Sequence, residues 1–216
     1  EVLVVGRSGV DEVDATARVI GCINTVVNDG GRLVGYNSDG RGAVHALRES
    51  GADPQGSRTV VLGSGGAARA VAVTIAREAP PATLTILGID AAELERLAAD
   101  VGSPGGVNVQ HERLTDASLR SALAGADLVI HCTPVGMHPQ EGRSLVPREL
   151  LRPGLAVFDA VYNPRRTRLI QDAQQAGCQT ILGLEMFLGQ AYVQFELWTG
   201  QPAPREVMRH IVEAKL

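Results

Sequence analysis

The residues with the most telling spacing are Val60-Val61-Leu62-Gly63-Ser64-Gly65-Gly66-Ala67-Ala68, an apolar run followed by Gly-x-Gly-x-x-Ala. Such a run suits a strand that turns into a helix beneath a phosphate. The first glycine makes the tight turn, the second lets backbone approach a pyrophosphate, and the small third residue lets helix and strand pack closely. The phosphate would rest on the helix N-terminus, where unpaired N–H groups and the dipole favour an anion. Gly63, Ser64, Gly65, Gly66 and Ala67 are therefore candidate cofactor contacts, and a dinucleotide is the expected ligand. A plain glycine-rich turn is the alternative.

The end of the next apolar run, Leu87-Gly88-Ile89-Asp90, should choose the cofactor. Asp90 can accept hydrogen bonds from the adenosine ribose of NAD and repel the 2′-phosphate of NADP, which calls for arginine. It equally suits the N-cap of a following helix, and Glu93 lies one turn on. NAD(P) is expected, with NAD favoured over NADP; an arginine from elsewhere, such as Arg69, is the route by which NADP could be accommodated. A third segment, His131-Cys132-Thr133-Pro134-Val135-Gly136-Met137, follows another apolar run. Strand C-termini in open α/β sheets are where ligands bind. Thr133, Pro134, Val135 and Met137 become candidate contacts, Met137 as an adaptable apolar surface for a nicotinamide ring. His131 and His138 have no Cys or carboxylate at metal-ligand spacing, so no metal site is expected.

The elements that must hold these segments alternate. Short strands are expected at Thr59–Leu62, Thr83–Leu87, Asn108–Gln110, Asp127–His131, Leu155–Asp159 and Gln179–Leu182. Helices are expected at Ala67–Glu78, Ala91–Asp100, Leu119–Leu123 and Thr167–Ala176. Continuous apolar strands alternating with helices predict an α/β fold, a doubly wound, Rossmann-like parallel sheet covered on both faces. Ahead of it, Val26-Val27 and Leu33-Val34 flank Asn28-Asp29-Gly30-Gly31, a hairpin signal, and Gly40–Glu49 has helical spacing. Behind it, Leu188, Tyr192, Phe195 and Trp198 form a helical stripe that reads as core, before a last helix at Arg205–Ala214. The expected organisation is a remnant of a substrate-binding domain over residues 1–40, a dinucleotide domain over 41–186, and C-terminal helices over 187–216 that pack on the first part.

Composition narrows the function. The chain has 216 residues, 44% hydrophobic and 20% charged, which excludes wholesale disorder. A net charge of −4 offers no basic excess for a phosphate backbone, so nucleic acid is not the expected partner. No apolar run reaches the ~20 residues of a membrane span. Cys22, Cys132 and Cys178 are odd in number and far apart, which fits buried thiols in a reducing compartment. With no basic n-region ahead of the first apolar residues, a cytoplasmic protein is expected. The start at Glu1, without an initiator Met, suggests that the sequence begins inside a longer protein. Gly 25 against seven aromatics suits backbone that must come close to a ligand.

Taken together, the motifs resemble the shikimate/quinate dehydrogenase family. Ile20-Gly21-Cys22-Ile23-Asn24-Thr25-Val26 is similar to its I-G-A-V-N-T segment, and Gly35-Tyr36-Asn37-Ser38-Asp39-Gly40 to G-x-N-T-D-G. Gly63–Ala70 is similar to G-A-G-G-A-A-R-A, and Thr133–Met137 to T-P-x-G-M. Asp159-Ala160-Val161-Tyr162-Asn163-Pro164 with Thr167 matches D-x-x-Y-x-P-x-x-T, and Gly183-Leu184-Glu185-Met186 with Gln190-Ala191 matches G-x-x-M-x-x-x-Q-A. The resemblance implies reversible, NAD(P)-dependent oxidation of shikimate to 3-dehydroshikimate, with quinate as a further candidate substrate, in the shikimate pathway of aromatic amino-acid synthesis. It implies that Asn24, Asp39 and Gln190 hold substrate hydroxyls, that Asp39 pairs with a catalytic lysine, that Tyr162 lines the cleft, and that Gly183 and Met186 border the nicotinamide.

Two features depart from the family. Its S-x-S and V-T-x-P-x-K segments, the second carrying the catalytic lysine, are missing here. Asp11-Glu12-Val13-Asp14 resembles the D-E-x-D that follows that lysine, so the lysine would lie just before Glu1. Lys215, the one lysine present, matches nothing catalytic. The N-R-T-x-x-R of NADP-type members is Gly88-Ile89-Asp90-Ala91-Ala92-Glu93 here. Outside the motifs, Asn24 could cap a turn, Asp39 could N-cap a helix and Gln190 could be a solvated helix residue. The alternative functions are a non-catalytic NAD-binding regulatory module and an enzyme for an aminated or otherwise modified ring substrate. A monomer or homodimer is expected.

Overall fold

The computed structural model describes residues 3–4, 9–102 and 106–215. Six parallel strands form the central sheet: β6 (Arg58–Leu62), β7 (Thr83–Gly88), β8 (Asn108–Arg113), β9 (Leu128–His131), β10 (Ala156–Asp159) and β11 (Gln179–Ile181). Among the described residues five strands precede them: β1 (Leu3–Val4), β2 (Glu12–Val13), β3 (Cys22–Ile23), β4 (Thr25–Asp29) and β5 (Arg32–Tyr36). The helices are α1 (Ala15–Ile20), α2 (Asp39–Glu49), α3 (Gly66–Glu78), α4 (Ala91–Gly102), α5 (Asp116–Ala124), α6 (Arg168–Gln175), α7 (Gly183–Thr199) and α8 (Arg205–Glu213).

The six-stranded order is β11-β10-β9-β6-β7-β8. The chain runs outward from β6 to β8, then returns to β9 on the other side of β6. That reversal opens a crevice at the carboxyl ends of β6 and β9, the ligand position of doubly wound sheets. The crevice is bordered by the Gly63 turn and by the segment after His131. β9 and β10 are buried along their whole length, and β6 beyond its first residue. One core face joins Val61, Ile86, Ile130 and Phe158 to the apolar side of α3; the other joins Val60, Leu62, Val129 and Val157 to α5 and α6.

The structure extends two elements beyond the apolar pattern. β8 runs to Arg113 although residues 110–113 are exposed and polar, because it pairs with β7 in register from Thr83↔Asn108 to Gly88↔Arg113. An edge strand needs only ladder hydrogen bonds, not two buried faces. α5 begins at Asp116 because Thr115 and Ser118 form a reciprocal capping box. In the first part, β4 and β5 form the expected hairpin, turning through Gly30 (φ 59°) and Gly31 (φ 97°), with the Gly31 N–H donating to Asn28 Oδ1 at 2.8 Å. Helix α1 was not legible in the apolar spacing; its cap is Asp14, which accepts from the Thr16 and Ala17 N–H groups.

Helix α2 lies between α3 and α7, and glycines set both contacts. A Cβ on Gly40 would meet Thr74 Oγ1 and the Ala70 carbonyl, and one on Gly42 would meet Gln190 N at 2.6 Å and the Met186 carbonyl at 2.8 Å. Gly189 of α7 faces the Gly42 carbonyl in the same way, at 2.7 Å. α7 starts at Gly183, ahead of the aromatic stripe, and its C-terminal half reaches the hairpin: Trp198 Nε1–H donates to the Val26 carbonyl at 3.0 Å. Among the described residues, no helix is long and apolar enough to cross a membrane.

Candidate active site

The Gly63 turn sits at the β6–α3 junction. Gly63 has φ +117°, and a Cβ there would meet the Cys132 carbonyl oxygen at 2.8 Å. Only glycine fits, by conformation and by space. α3 then starts from Gly65 with no side chain capping it, and the space above Gly65 and Gly66 is open. An uncapped N-terminus of a 13-residue helix, facing open space at the crevice, fits a pyrophosphate. These residues therefore fit the dinucleotide that the motif implies.

Two adjoining cavities share Ala67, Ala160 and Tyr162. The larger, of about 510 Å³, is also lined by Cys132, Thr133, Pro134, Met137, His138, Val161 and Asn163. The smaller, of about 180 Å³, adds Asp39, Gly183, Met186, Phe187 and Gln190. Tyr162 stands between them, its ring 5.1 Å from that of Phe187. Gly183 admits no side chain, since a Cβ would meet the Val161 carbonyl oxygen at 2.5 Å. Val135 is not among the lining residues; its N–H donates to Thr133 Oγ1.

Asp39 is the first residue of α2, following Ser38 at the N-cap, so it is not itself the cap. Asn24 does not line either cavity. Its amide donates to Asp39 Oδ1 at 2.9 Å, and its own oxygen accepts from the Ser38 N–H and the Thr25 hydroxyl. It holds the strand–helix junction and one carboxylate oxygen of Asp39. Burial raises the Asp39 carboxyl above its ordinary range, opposed by the Asn24 hydrogen bond. Cys132, half-buried in the wall of the larger cavity, is pushed up to about 12 by desolvation, with the Asp159 carboxylate second, so it stays a thiol.

At the end of β7 the structure shows the capping reading of Asp90. Its carboxylate accepts from the Glu93 N–H at 2.9 Å, capping α4. Glu93 in turn receives a long hydrogen bond, 3.4 Å, from the Ser64 hydroxyl of the glycine turn. Arg69 is not available there. It donates to the Ile20 and Val19 carbonyls at 2.5 and 2.7 Å and pairs with Asp100, tying α3 to α1. β8 brings Arg113 into register with Gly88 at the end of β7.

A buried polar network behind the larger cavity was also missed. Asp159 lies opposite His131 in the sheet and bonds it at 2.8 Å, with Thr167 and Val161 as further donors. Asp159 is legible as a motif residue; His131 is not, because its partner lies 28 positions on, across the sheet. Among the described residues, no group of three or more His, Cys, Asp or Glu side chains could hold a metal ion.

A family model for the shikimate 5′-dehydrogenase C-terminal domain matches residues 183–213. A shikimate dehydrogenase (NADP(+)) from Dehalococcoides mccartyi is 41% identical over 207 residues, covering 96% of this chain and 72% of that protein. One from Moorella thermoacetica is 43% identical over 205 residues, 94% of this chain and 68% of that protein. The crystal structure of shikimate 5-dehydrogenase from Listeria monocytogenes, in complex with shikimate and NAD, is similar with a TM-score of 0.89 and 35% identity, covering 94% of this chain and 72% of that one.

Proposed function

The chain belongs to the shikimate dehydrogenase family, and from that premise we propose that it serves an NAD(P)-dependent oxidoreductase that interconverts shikimate and 3-dehydroshikimate. The observation that carries this is the convergence of Asp39, Tyr162, Gly183, Met186 and Gln190 on one small cavity that adjoins the larger one beside the glycine turn. On this reading residues 41–186 bind the cofactor, and residues 1–40 with 187–216 belong to the substrate side. The alternative of a non-catalytic regulatory module finds no support among relatives that are themselves named dehydrogenases.

When bound, the nicotinamide supplies the hydride acceptor for oxidation of a secondary alcohol. The chain's own residues bind and orient. The Gly63–Ala67 turn would hold the pyrophosphate, and Thr133, Pro134 and Met137, with Gly183 and Met186, would line the nicotinamide end. Asp39 and Gln190, one on each of two helices locked together by glycines, would fix substrate hydroxyls. Asn24 would hold Asp39 in position. Loss of the alcohol proton needs a base. The family resemblance assigns that base to a lysine, with Asp39 as its partner; Asp39, half-buried and with only one oxygen bonded to Asn24, suits a group that takes up and returns a proton.

For the cofactor we infer NAD over NADP. Asp90 and Glu93 put two carboxylates beside the glycine turn, Gly88 offers no side chain, and Arg69 is engaged elsewhere. Three free thiols fit a reducing, cytoplasmic setting.

The test is absorbance at the reduced-nicotinamide band, using protein expressed from its complete reading frame, with shikimate and with quinate and each of NAD and NADP. Reduction of cofactor by shikimate is expected. No reduction with any of the four pairs, from a protein that binds cofactor, would return the regulatory module to favour.

A further inference from the structure

The carboxyl ends of β9 and β10 hold a chain of polar groups of which the mechanism above uses only Thr133. Asp159 is fully buried, and His131 is 1% exposed. The Asp159 carboxylate accepts from the Thr167 hydroxyl at 2.5 Å and the Val161 N–H at 3.0 Å, and His131 Nδ1 lies 2.8 Å from it. A carboxylate only accepts, so His131 Nδ1–H donates to it. The other ring nitrogen, Nε2, is 2.5 Å from the Thr133 hydroxyl. Thr133 lines the larger cavity, and its oxygen also takes the Val135 N–H. Its methyl sits against the space above Gly63. A buried carboxylate thus orients an imidazole, and the imidazole orients a hydroxyl at the cavity wall, the connectivity by which triads fix a side chain in place.

We propose that His131 is a positioning residue for the nicotinamide half of the cofactor. It acts through Thr133, pinning the Thr133–Met137 loop that lines the larger cavity. The adenosine diphosphate half meets the glycine turn instead and does not depend on it. This rests on the cofactor reading given above.

The test compares NADH with ADP-ribose, which lacks the nicotinamide, by calorimetric titration of the chain. Thr133→Val keeps the methyl beside Gly63, removes the hydroxyl and leaves the Asp159–His131 pair intact. His131→Phe cuts the chain one link deeper, with a thermal melt confirming its fold. Losing one such bond is worth about fivefold to tenfold. NADH affinity is therefore expected to fall by that factor in both variants while ADP-ribose affinity stays within about twofold. Equal losses for the two ligands in Thr133→Val, or no loss for either, would overturn the positioning role. If the wild-type chain bound neither ligand, the cofactor reading itself would fall, and the positioning role with it.

Discussion

Replacing Asp90 with asparagine and Glu93 with glutamine should move cofactor choice from NAD toward NADP without loosening α4. Asparagine caps a helix about as well as aspartate, so the bond to the Glu93 N–H survives the first change. Only charge is removed. A 2′-phosphate carries close to two negative charges. At ~6 Å in water, one carboxylate repels it by roughly 1 kcal/mol, and at ~0.15 M salt, with a Debye length of ~8 Å, by about half that. Two carboxylates then give the wild-type chain roughly fivefold preference for NAD at that salt and ~30-fold at low salt. The assay is the ratio of dissociation constants for NADP and NAD at ~0.01 and ~0.15 M salt, on the wild type and the double variant. The ratio should fall with salt in the wild type and lie near one, flat with salt, in the variant. Equal or tighter NADP binding by the wild type at low salt would refute the reasoning. Arg113, in register with Gly88, would then be the residue to remove.

Asp39→Asn should lower turnover by ~10²–10⁴-fold with little change in cofactor affinity, read by steady-state kinetics on the complete protein. In residues 1–216 taken alone, without the lysine partner beside Asp39, the same substitution should make the fold less sensitive to alkali. Burial keeps the Asp39 carboxyl protonated in the fold at pH values where the unfolded chain, with its ordinary value near 3.8, has released the proton. The native state therefore loses stability as pH rises above that value and until the folded carboxyl has ionised. The melting temperature of Asp39→Asn minus that of wild type should accordingly grow from pH 4 upward and then level off; a difference that shrinks with pH would contradict this. Arg69→Met should cost about 1.5–3 kcal/mol of stability, by denaturant titration, through the lost bonds to Val19 and Ile20, and leave the NADP-to-NAD ratio unchanged. Gly42→Ala should destabilise by about 1–3 kcal/mol, measured the same way, because its Cβ meets α7 backbone at 2.6 Å.

Much of the fold was open to reading from residues alone. The buried strands β6, β9 and β10 are continuous apolar runs, and the glycine turn lies where a strand period gives way to a helical one. β8 and α1 were harder for opposite reasons. An edge strand is held by its neighbour's backbone, and α1, six residues long, is held by one cap and by Arg69 from a distant helix. Asp39 and Tyr162, singled out by motif spacing, line the smaller cavity. The bond from Asn24 to Asp39 was not legible, because it joins positions 15 apart across the β4–β5 hairpin. His131 and Thr133 are two residues apart, but Asp159 reaches them only through the sheet, 28 positions on. No period in a single sequence records such a pairing. Glu93 escaped a firm role because Ser64, its contact, lies 29 positions back, in the turn after the neighbouring strand β6.

The glycine seam between α2 and α7 also bears on how this sequence can change over generations. Gly42 faces Gln190 N, and Gly189 faces the Gly42 carbonyl, so each occupies the room that a methyl on the other helix would need. Neither position can drift alone. A side chain at one would have to be matched by a shift of the whole opposing helix, and α2 carries Asp39 while α7 carries Gln190. The spacing of the two proposed substrate ligands is thereby inherited as a single trait. Diversification toward a differently shaped ring acid should therefore proceed through the loops around Tyr162 and Met137, which are exposed, while this seam stays fixed.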